Sequence, residues 1–296
     1  MVTTSARAPD QRPDRASPAR TQAEVPVGPM LSMFDPIYLG LDEFGAAVYI
    51  ELPYHNVLAA GEPGGGKSVL LNTIAAHAAL STDTRLVLFD GKRVELGMWR
   101  HVADEFVTTN IDHALDTLHR LQTVMDNRYA WLEAHDWRKV EPGDGLSVIL
   151  SIFDEIALFS TVLGTKPQQE EFANLLRGLV SLGRACGMPV IAATQRPSWD
   201  IIPASLRDLF GYRAAFRCTT TNSSNIALGQ GWAEQGYNAA DIAPTNQGAA
   251  YLLAEGGFPR RIKAAWLSDS DIYTIADYAA YLRHPTLSAS DWGMAA

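Results

Sequence analysis

Two shortages in the composition narrow the class of protein. Cysteine is scarce: the 296 residues contain only Cys186 and Cys218, which fit no close metal-ligand spacing, so we expect reduced, buried thiols. Positive charge is also in short supply, since 24 Lys and Arg stand against 33 Asp and Glu, a formal net charge of −9. This balance excludes a protein that binds nucleic acid through its overall charge. Any contact with DNA must come from local basic or polar loops.

Long apolar runs and internal repeats are absent as well. No stretch is long enough to cross a bilayer, and no signal peptide is present, so we expect a cytoplasmic protein that a partner protein recruits if it works at a membrane. An apolar fraction of 47% and a charged fraction of 19% are ordinary for a soluble globular protein. The length allows one large α/β domain or two small ones.

Composition along the chain predicts three segments. Residues 1–29 are rich in Pro, Arg, Ala, Ser and Thr and have few large apolar side chains, which is typical of a disordered tail. Residues 30–283 are predicted to fold as one unit, which begins with a small β-hairpin formed by residues 36–41 and 46–52. Residues 284–296 are predicted to be a C-terminal tail.

A phosphate-binding pattern, G-x-x-x-x-G-K-S, lies between a short apolar strand and a helix predicted over residues 68–80. Its nucleotide-binding residues are Gly61, Glu62, Pro63, Gly64, Gly65, Gly66, Lys67 and Ser68. Glycines let backbone N–H groups surround a phosphate, Lys67 reaches the β- and γ-phosphates, and the Ser68 hydroxyl ligates Mg²⁺. Because Pro63 has no N–H, the cradle must use the amides of residues 64–68. The alternative, a glycine-rich turn with an exposed lysine, is disfavoured by the flanking strand and helix.

Strands and helices alternate through the rest of the chain. Apolar strands are predicted at residues 85–90, 147–153, 188–194 and 212–217, and helices at 109–134, 166–184, 203–209 and 269–283. Two further strands, at 248–253 and 261–265, are predicted to form a hairpin. This order indicates an α/β fold with a mostly parallel sheet and helices on both faces. Ligands of such sheets bind at the carboxyl ends of the strands.

Polar residues at two of these strand ends supply candidate chemistry. Asp154 can hold Mg²⁺, and Glu155 can polarise the attacking water as a general base. Together with the phosphate loop, this pair predicts ATP hydrolysis, with ATP and Mg²⁺ as cofactors. Gln195 ends the next strand, and either senses the γ-phosphate and orients water or bonds to nearby backbone. Four arginines are candidates to act on the ATP of a neighbouring subunit: Arg184, Arg196, Arg213 and Arg217.

Five segments together carry a resemblance to a known family. They are Gly61–Ser68, the block L-F-D-G-K-R-V-E-L at 88–96, I-F-D-E at 152–155, the block G-R-A-C-G-M-P-V-I-A-A-T-Q-R-P-S at 183–198, and Y-R-A-A-F at 212–216. They resemble the FtsK/SpoIIIE family of DNA translocases. The resemblance implies a RecA-like P-loop NTPase motor that forms a homo-oligomeric ring, usually a hexamer, and pumps double-stranded DNA.

The same resemblance assigns roles to individual residues. It makes Lys67 and Ser68 the phosphate-loop pair, Asp154 the metal residue, Glu155 the base and Gln195 the sensor. Arg213 corresponds to an arginine that precedes a Ser/Thr segment in the family. Where the family often has Ser-Arg further on, this chain has Ser224-Asn225, which puts a trans-acting arginine there in doubt.

The short, motor-only form most resembles the plasmid-transfer branch, which moves duplex DNA between cells by conjugation. Two alternatives are a motor ATPase of a type VII-like protein-secretion system and a nucleotide-gated scaffold that does not hydrolyse ATP.

Overall fold

The computed structural model describes residues 30–283, and the two predicted tails lie outside these described residues. Its strands are β1 (Ile37–Asp42), β2 (Ala47–Ile50), β3 (Val57–Ala60), β4 (Thr84–Phe89), β5 (Glu105–Val107), β6 (Val148–Phe153), β7 (Val190–Thr194), β8 (Tyr212–Phe216), β9 (Ala249–Ala254) and β10 (Arg260–Ala264). Its α-helices are α1 (Lys67–Leu80), α2 (Ile111–Ala134), α3 (Lys166–Leu182), α4 (Ala204–Arg207), α5 (Thr221–Leu228) and α6 (Asp269–Arg283).

All ten strands form one sheet in the order β2-β1-β10-β9-β8-β3-β7-β6-β4-β5. The six strands β8, β3, β7, β6, β4 and β5 run parallel to one another. Strands β9, β10, β1 and β2 extend the sheet beyond β8 with antiparallel pairing. The predicted α/β fold and mostly parallel sheet are therefore confirmed. Both predicted hairpins, β1–β2 and β9–β10, are present and belong to this same sheet.

Helices cover both faces of the sheet, which explains the continuous apolar strands. One core packs α1 and α6 against one face, and the other packs α2, α3 and α5 against the opposite face. Strands β3, β6 and β7 are buried at every position because no face of these central strands meets water. Among residues 30–283, none of the helices combines the length and apolar character that crossing a bilayer requires.

Local capping sets where several helices begin. The Asn110 side chain accepts hydrogen bonds from the N–H groups of Asp112 and His113 and starts α2. The side chains of Thr165 and Gln168 form a capping box at the start of α3. Thr220 accepts from the Ser223 N–H and starts α5. Both cysteines are free and buried, as expected.

Candidate functional site

The phosphate loop leaves β3 at the carboxyl edge of the parallel strands and leads into α1. Gly66 at the start of α1 has a φ of 112°, a left-handed conformation that side-chain-bearing residues rarely adopt. A Cβ on Gly66 would lie 2.5 Å from the Cα of Gly248, the residue before β9. The Gly248 N–H also donates to the Gly65 carbonyl, at 3.0 Å. The loop is therefore packed directly against the antiparallel part of the sheet.

Several loop amides already have protein acceptors. The N–H of Gly61 donates to the Thr194 carbonyl at 3.2 Å, and that of Glu62 donates to the Arg217 carbonyl at 2.9 Å. The Gly65 N–H donates to the Glu62 carbonyl at 3.2 Å. The Gly65 amide, one of those predicted to form the cradle at residues 64–68, is thus bound within the loop in this structure. The amides of Gly64, Gly66, Lys67 and Ser68 are the other predicted donors of the cradle.

The side chain of Lys67 folds back onto its own loop. Its Nζ donates to the carbonyls of Gly61 at 2.5 Å and Glu62 at 2.9 Å, and the residue is only 5% exposed. Burial lowers the pKa of Lys67 from the ordinary 10.5 to about 8, and the nearby Glu155 carboxylate opposes this shift. A bound phosphate would replace the carbonyls as the partner of this ammonium group and favour its charged form.

Ser68 has a partner that the sequence did not point to. Its Oγ donates to Glu95 Oε2 at 2.5 Å, and Lys92 Nζ lies 3.8 Å from the other Glu95 oxygen. A hydroxyl that donates its proton keeps its lone pairs, so this bond leaves Ser68 able to ligate a cation. Glu95 belongs to the 88–96 block that carries the family resemblance, but residue patterns along the chain did not single it out because its contact with Ser68 joins residues 27 positions apart.

Asp154 lies at the carboxyl end of β6, beside Asp90 at the end of the neighbouring strand β4. Asp154 Oδ1 accepts from the Gly91 N–H at 3.0 Å, and Asp90 Oδ2 accepts from the Leu96 N–H at 3.0 Å. The other oxygen of each carboxyl is buried without a hydrogen-bond partner in the described part of the chain. Burial raises the pKa of Asp154 to about 7; the Gly91 N–H opposes this shift, and the Asp90 carboxylate adds to it.

These oxygens fit a magnesium ion. Mg²⁺ prefers oxygen ligands and, in phosphate-transfer sites, is held by one or two carboxylates together with substrate phosphates. The two unpartnered oxygens of Asp90 and Asp154 and the Ser68 hydroxyl are ligands of this kind. Residues 30–283 contain no group of three or more His, Cys, Asp or Glu side chains that could hold a metal by themselves, so phosphate oxygens would have to complete the site.

Glu155 is held by the end of the next strand, β7. Its Oε1 accepts from Thr194 Oγ1 at 2.7 Å and from the Ala157 N–H at 3.3 Å, and its Oε2 accepts from the Gln195 N–H at 2.8 Å. The glutamate is buried and fixed by three hydrogen bonds. The residues predicted as base and sensor are thus joined directly, because the Gln195 backbone binds the carboxylate of Glu155.

Gln195 lies between two cavities. One has a volume of about 540 Å³. It is lined by Glu95, by residues just before β9 and in β10, and by residues 64 and 66–69 of the phosphate loop and helix α1. The other, of about 610 Å³, is lined by Glu62, residues 195–200 and the start of α5. Gln195 therefore lines the cavity that contains the predicted phosphate site.

Arg213 lies on strand β8 and not at the phosphate loop. It pairs with Leu58 in the sheet, two residues before the end of β3, and its guanidinium is 3.6 Å from the Asp208 carboxylate. Its Nε is buried without a hydrogen-bond partner in the described residues. The structure does not bring Arg213 to the phosphate loop of its own chain, so the predicted role in catalysis requires a neighbouring subunit.

The other three candidate arginines lie in different environments. Arg184 is bound within the chain, to the Tyr54 carbonyl at 2.6 Å and to Glu255 at 3.0 Å. Arg217 forms an ion pair with Glu62 of the phosphate loop. Arg196 lines the 610 Å³ cavity.

Ser224 and Asn225 have structural roles here. Ser224 Oγ accepts from the Ala239 N–H at 2.9 Å, and the Asn225 amide donates to Glu234 at 2.9 Å. Both residues are buried, so neither side chain is available to a neighbouring subunit.

Comparison with known proteins identifies relatives over most of the chain. A sequence model of the FtsK/SpoIIIE family matches residues 10–236. The chain is 28% identical over 281 residues to the DNA translocase FtsK of Staphylococcus epidermidis, an alignment that covers 88% of this chain and 32% of that protein. It is 29% identical over 254 residues to FtsK of Treponema pallidum, covering 80% and 30% respectively. The chain thus spans about a third of the length of these curated relatives.

Solved structures share the fold. The conjugation coupling protein TcpA of pCW3, determined with ATPγS, superposes with a TM-score of 0.71 and 22% identity over 84% of this chain and 70% of that one. The type VII secretion ATPase EccC of Thermomonospora curvata superposes with a TM-score of 0.65 and 21% identity over 85% and 32%. The fold is that of P-loop ATPases of this type.

Proposed function

Because this chain belongs to the FtsK/SpoIIIE family, we propose that it is an ATPase that couples ATP hydrolysis to movement along double-stranded DNA. The proposal depends mainly on one observation: four neighbouring parallel strands bring their carboxyl ends to the same edge of the sheet. There β3 ends in the phosphate loop, β4 in Asp90, β6 in Asp154 and Glu155, and β7 in Thr194 and Gln195. This arrangement contains each part that nucleotide hydrolysis requires.

Each residue has a role in this proposal. Lys67 and the loop amides bind the β- and γ-phosphates, while Ser68, Asp154 and Asp90 hold Mg²⁺. Bound Mg²⁺ would neutralise charge on the phosphates. Glu155 polarises the attacking water, and its hydrogen bond to Gln195 couples the base to the residue that senses the γ-phosphate.

The proposal includes a homo-oligomeric ring, a hexamer by family resemblance. Arg213 lies on β8 and not in the phosphate loop of its own chain, and its guanidinium is 3.6 Å from an Asp208 carboxylate that is 60% exposed, where a second anionic partner could share it. In a ring, that partner would be the ATP of the adjacent subunit. We assign Arg213 this role in preference to residue 225, which is an asparagine bound within the chain.

The relatives found by sequence favour DNA over protein as the polymer that this chain transports. The FtsK translocases align with 80 to 90% of this chain, whereas the likeness to EccC, at 21% identity, shows the fold alone. The nucleotide-gated scaffold is disfavoured by Glu155, because a site that only binds a nucleotide does not need a general base beside Asp154. The net charge of −9 means that the DNA contacts must be local.

The cellular role that we propose is plasmid transfer by conjugation, with a membrane partner protein that positions the ring. A conjugation coupling protein has the same fold, which is compatible with this role. Plasmid transfer frequency in cells that carry Lys67→Ala tests it: transfer should be lost, while chromosome segregation is unaffected.

The biochemical proposal is tested by ATPase rates without DNA, with single-stranded DNA and with double-stranded DNA. Duplex DNA should stimulate the wild-type rate most, and Lys67→Ala should abolish turnover in all three conditions. DNA binding should weaken steeply with salt, because phosphate contacts release counterions. An ATPase rate that duplex DNA leaves unchanged would contradict the proposal.

A further inference from the structure

The cavity of about 540 Å³ at the phosphate loop has two chemically different ends. Its polar end is formed by the loop and the start of α1, with Lys67 and Ser68. Gly248 lies against the loop and accepts a hydrogen bond from the Ala264 N–H of β10 at 2.9 Å, and the other end is formed beyond Ala264 by Trp266, which follows β10. The volume lies within the roughly 300–1,000 Å³ that is usual for small-molecule sites.

Trp266 is a large apolar side chain that the fold leaves in solvent. It is 73% exposed and makes no ring contact with another aromatic side chain of residues 30–283. A tryptophan buries more apolar area than most side chains, so leaving one exposed at the mouth of a cavity forgoes stabilisation of the fold. Because this ring also lines the cavity, it is available to a ligand bound there.

The backbone that carries Trp266 is nevertheless fixed. The Ala265 N–H donates to the Leu39 carbonyl at 2.8 Å, and the Ala265 carbonyl accepts from Thr73 Oγ1 of helix α1 at 3.0 Å. On the other side, Leu267 packs against the core. The exposed ring therefore stands on a rigid support that is tied to the helix carrying Lys67 and Ser68.

The lysine at this end of the cavity is held by neutral groups of the protein. Lys263 Nζ donates to Asn246 Oδ1 at 2.8 Å and to the Gln247 carbonyl at 2.6 Å. These bonds fix the ammonium group at the segment before β9. The end near Trp266 thus offers a flat aromatic surface, while the loop end offers hydrogen-bond donors for anions.

We propose that Trp266 stacks on the base of the bound purine nucleoside triphosphate, an inference that rests on the proposed nucleotide site. A molecule with a triphosphate at one end and a flat ring at the other matches both ends of the cavity. Stacking uses the π face that every base presents, so Trp266 contributes affinity with little preference between adenine and guanine.

The experiment measures dissociation constants of the full chain with Mg²⁺ for ATPγS, GTPγS and inorganic tripolyphosphate. Tripolyphosphate has the phosphates and no base, so it separates the two ends of the cavity. Trp266→Ala should weaken both nucleotides by about tenfold, the effect of losing one base–aromatic stack, and should leave tripolyphosphate unchanged. Trp266→Phe should restore most of the loss because a second aromatic ring can stack.

Two control variants complete the design. Trp137→Ala removes another exposed tryptophan, which is 46% exposed, follows α2 and lines neither cavity, and it should change none of the three constants. Lys67→Ala should weaken all three ligands, since it acts at the phosphate end.

Three results would overturn the stacking role. Nucleotide affinities equal to wild type in Trp266→Ala would show that the base lies elsewhere or that the ring faces a neighbouring subunit. An equal loss for tripolyphosphate would show that Trp266 supports the loop structure. A wild-type chain that binds none of the ligands would overturn the nucleotide site itself, and the stacking role with it.

Discussion

The buried amine of Lys67 makes nucleotide binding dependent on pH in a defined direction. Without ligand its pKa is lowered to about 8 by burial, whereas contact with phosphates should return it towards the ordinary 10.5. Binding therefore requires the charged form, and above pH 8 the free protein must first take up a proton. We expect affinity to fall as the pH rises above 8.

The size of the effect follows from the two pKa values. At pH 7 about nine-tenths of the free chains already carry the charged amine, so Lys67 takes up about 0.1 proton on binding, while the Asp154 carboxyl, whose pKa is about 7, would release about half a proton on binding Mg²⁺. At pH 9 only about one-tenth carry the charged amine and Asp154 is already ionised, so binding takes up about 0.9 proton and the contribution of Lys67 to affinity is about tenfold weaker than at pH 7. In the free protein the unfolded chain binds more protons than the folded one between pH 8 and 10.5, so the contribution of Lys67 to stability rises with pH across that window.

Isothermal titration calorimetry with ATPγS at pH 7, 8 and 9 measures both quantities. Repeating each titration in buffers of different ionisation enthalpy gives the number of protons taken up. Lys67→Arg is the matched control, because arginine stays protonated in proteins and should remove the fall in affinity above pH 8 even if its affinity is lower. Proton uptake that stays near zero at pH 9, or an equal pH dependence in Lys67→Arg, would refute the reasoning.

Three further changes test separate parts of the site. Glu155→Gln should keep ATP affinity within about threefold and reduce turnover by about 100-fold or more in a steady-state ATPase assay, and near-normal turnover would remove Glu155 as the base. Asp90→Asn should raise the Mg²⁺ concentration needed for half-maximal nucleotide binding by about tenfold, since it removes one of two carboxylates, and an unchanged Mg²⁺ titration would leave Asp154 as the sole carboxylate ligand. Gly66→Ala should lower the melting temperature more than Gly143→Ala does, because both have positive φ but only Gly66 would place a Cβ against Gly248; equal shifts would mean that the loop relaxes without cost.

Much of the fold could be predicted from the sequence because most elements have strong local patterns. The helices α1, α2 and α3 and the buried strands β6 and β7 lie within two residues of their predicted bounds. Strand β5 was missed because three residues are too few to show a period, and it exists through pairing with β4. Helix α5 was missed because its first turn is made of Thr, Asn and Ser, which have low helix propensity; the Thr220 cap and burial of residues 224–228 stabilise it.

The candidate site could be predicted only in part, for a similar reason. Lys67, Ser68, Asp154 and Glu155 belong to patterns that are readable along the chain. Asp90 was visible as an acid at a strand end, but its place beside Asp154 depends on the pairing of β4 with β6, which joins residues more than 60 positions apart. The contacts of Glu95 with Ser68 and of Trp266 with the cavity are long-range in the same way, and local sequence carries no signal for them.

The central claim is movement along duplex DNA driven by ATP hydrolysis, and displacement of a third strand from a DNA triplex measures it most directly. With ATP and Mg²⁺, the wild-type chain should release the third strand from a duplex that carries a flanking landing segment. Lys67→Ala and Glu155→Gln should release none, and neither should the wild type with ATPγS at short times. Release that occurs equally without ATP, or an absence of release by a protein that hydrolyses ATP on duplex DNA, would contradict translocation.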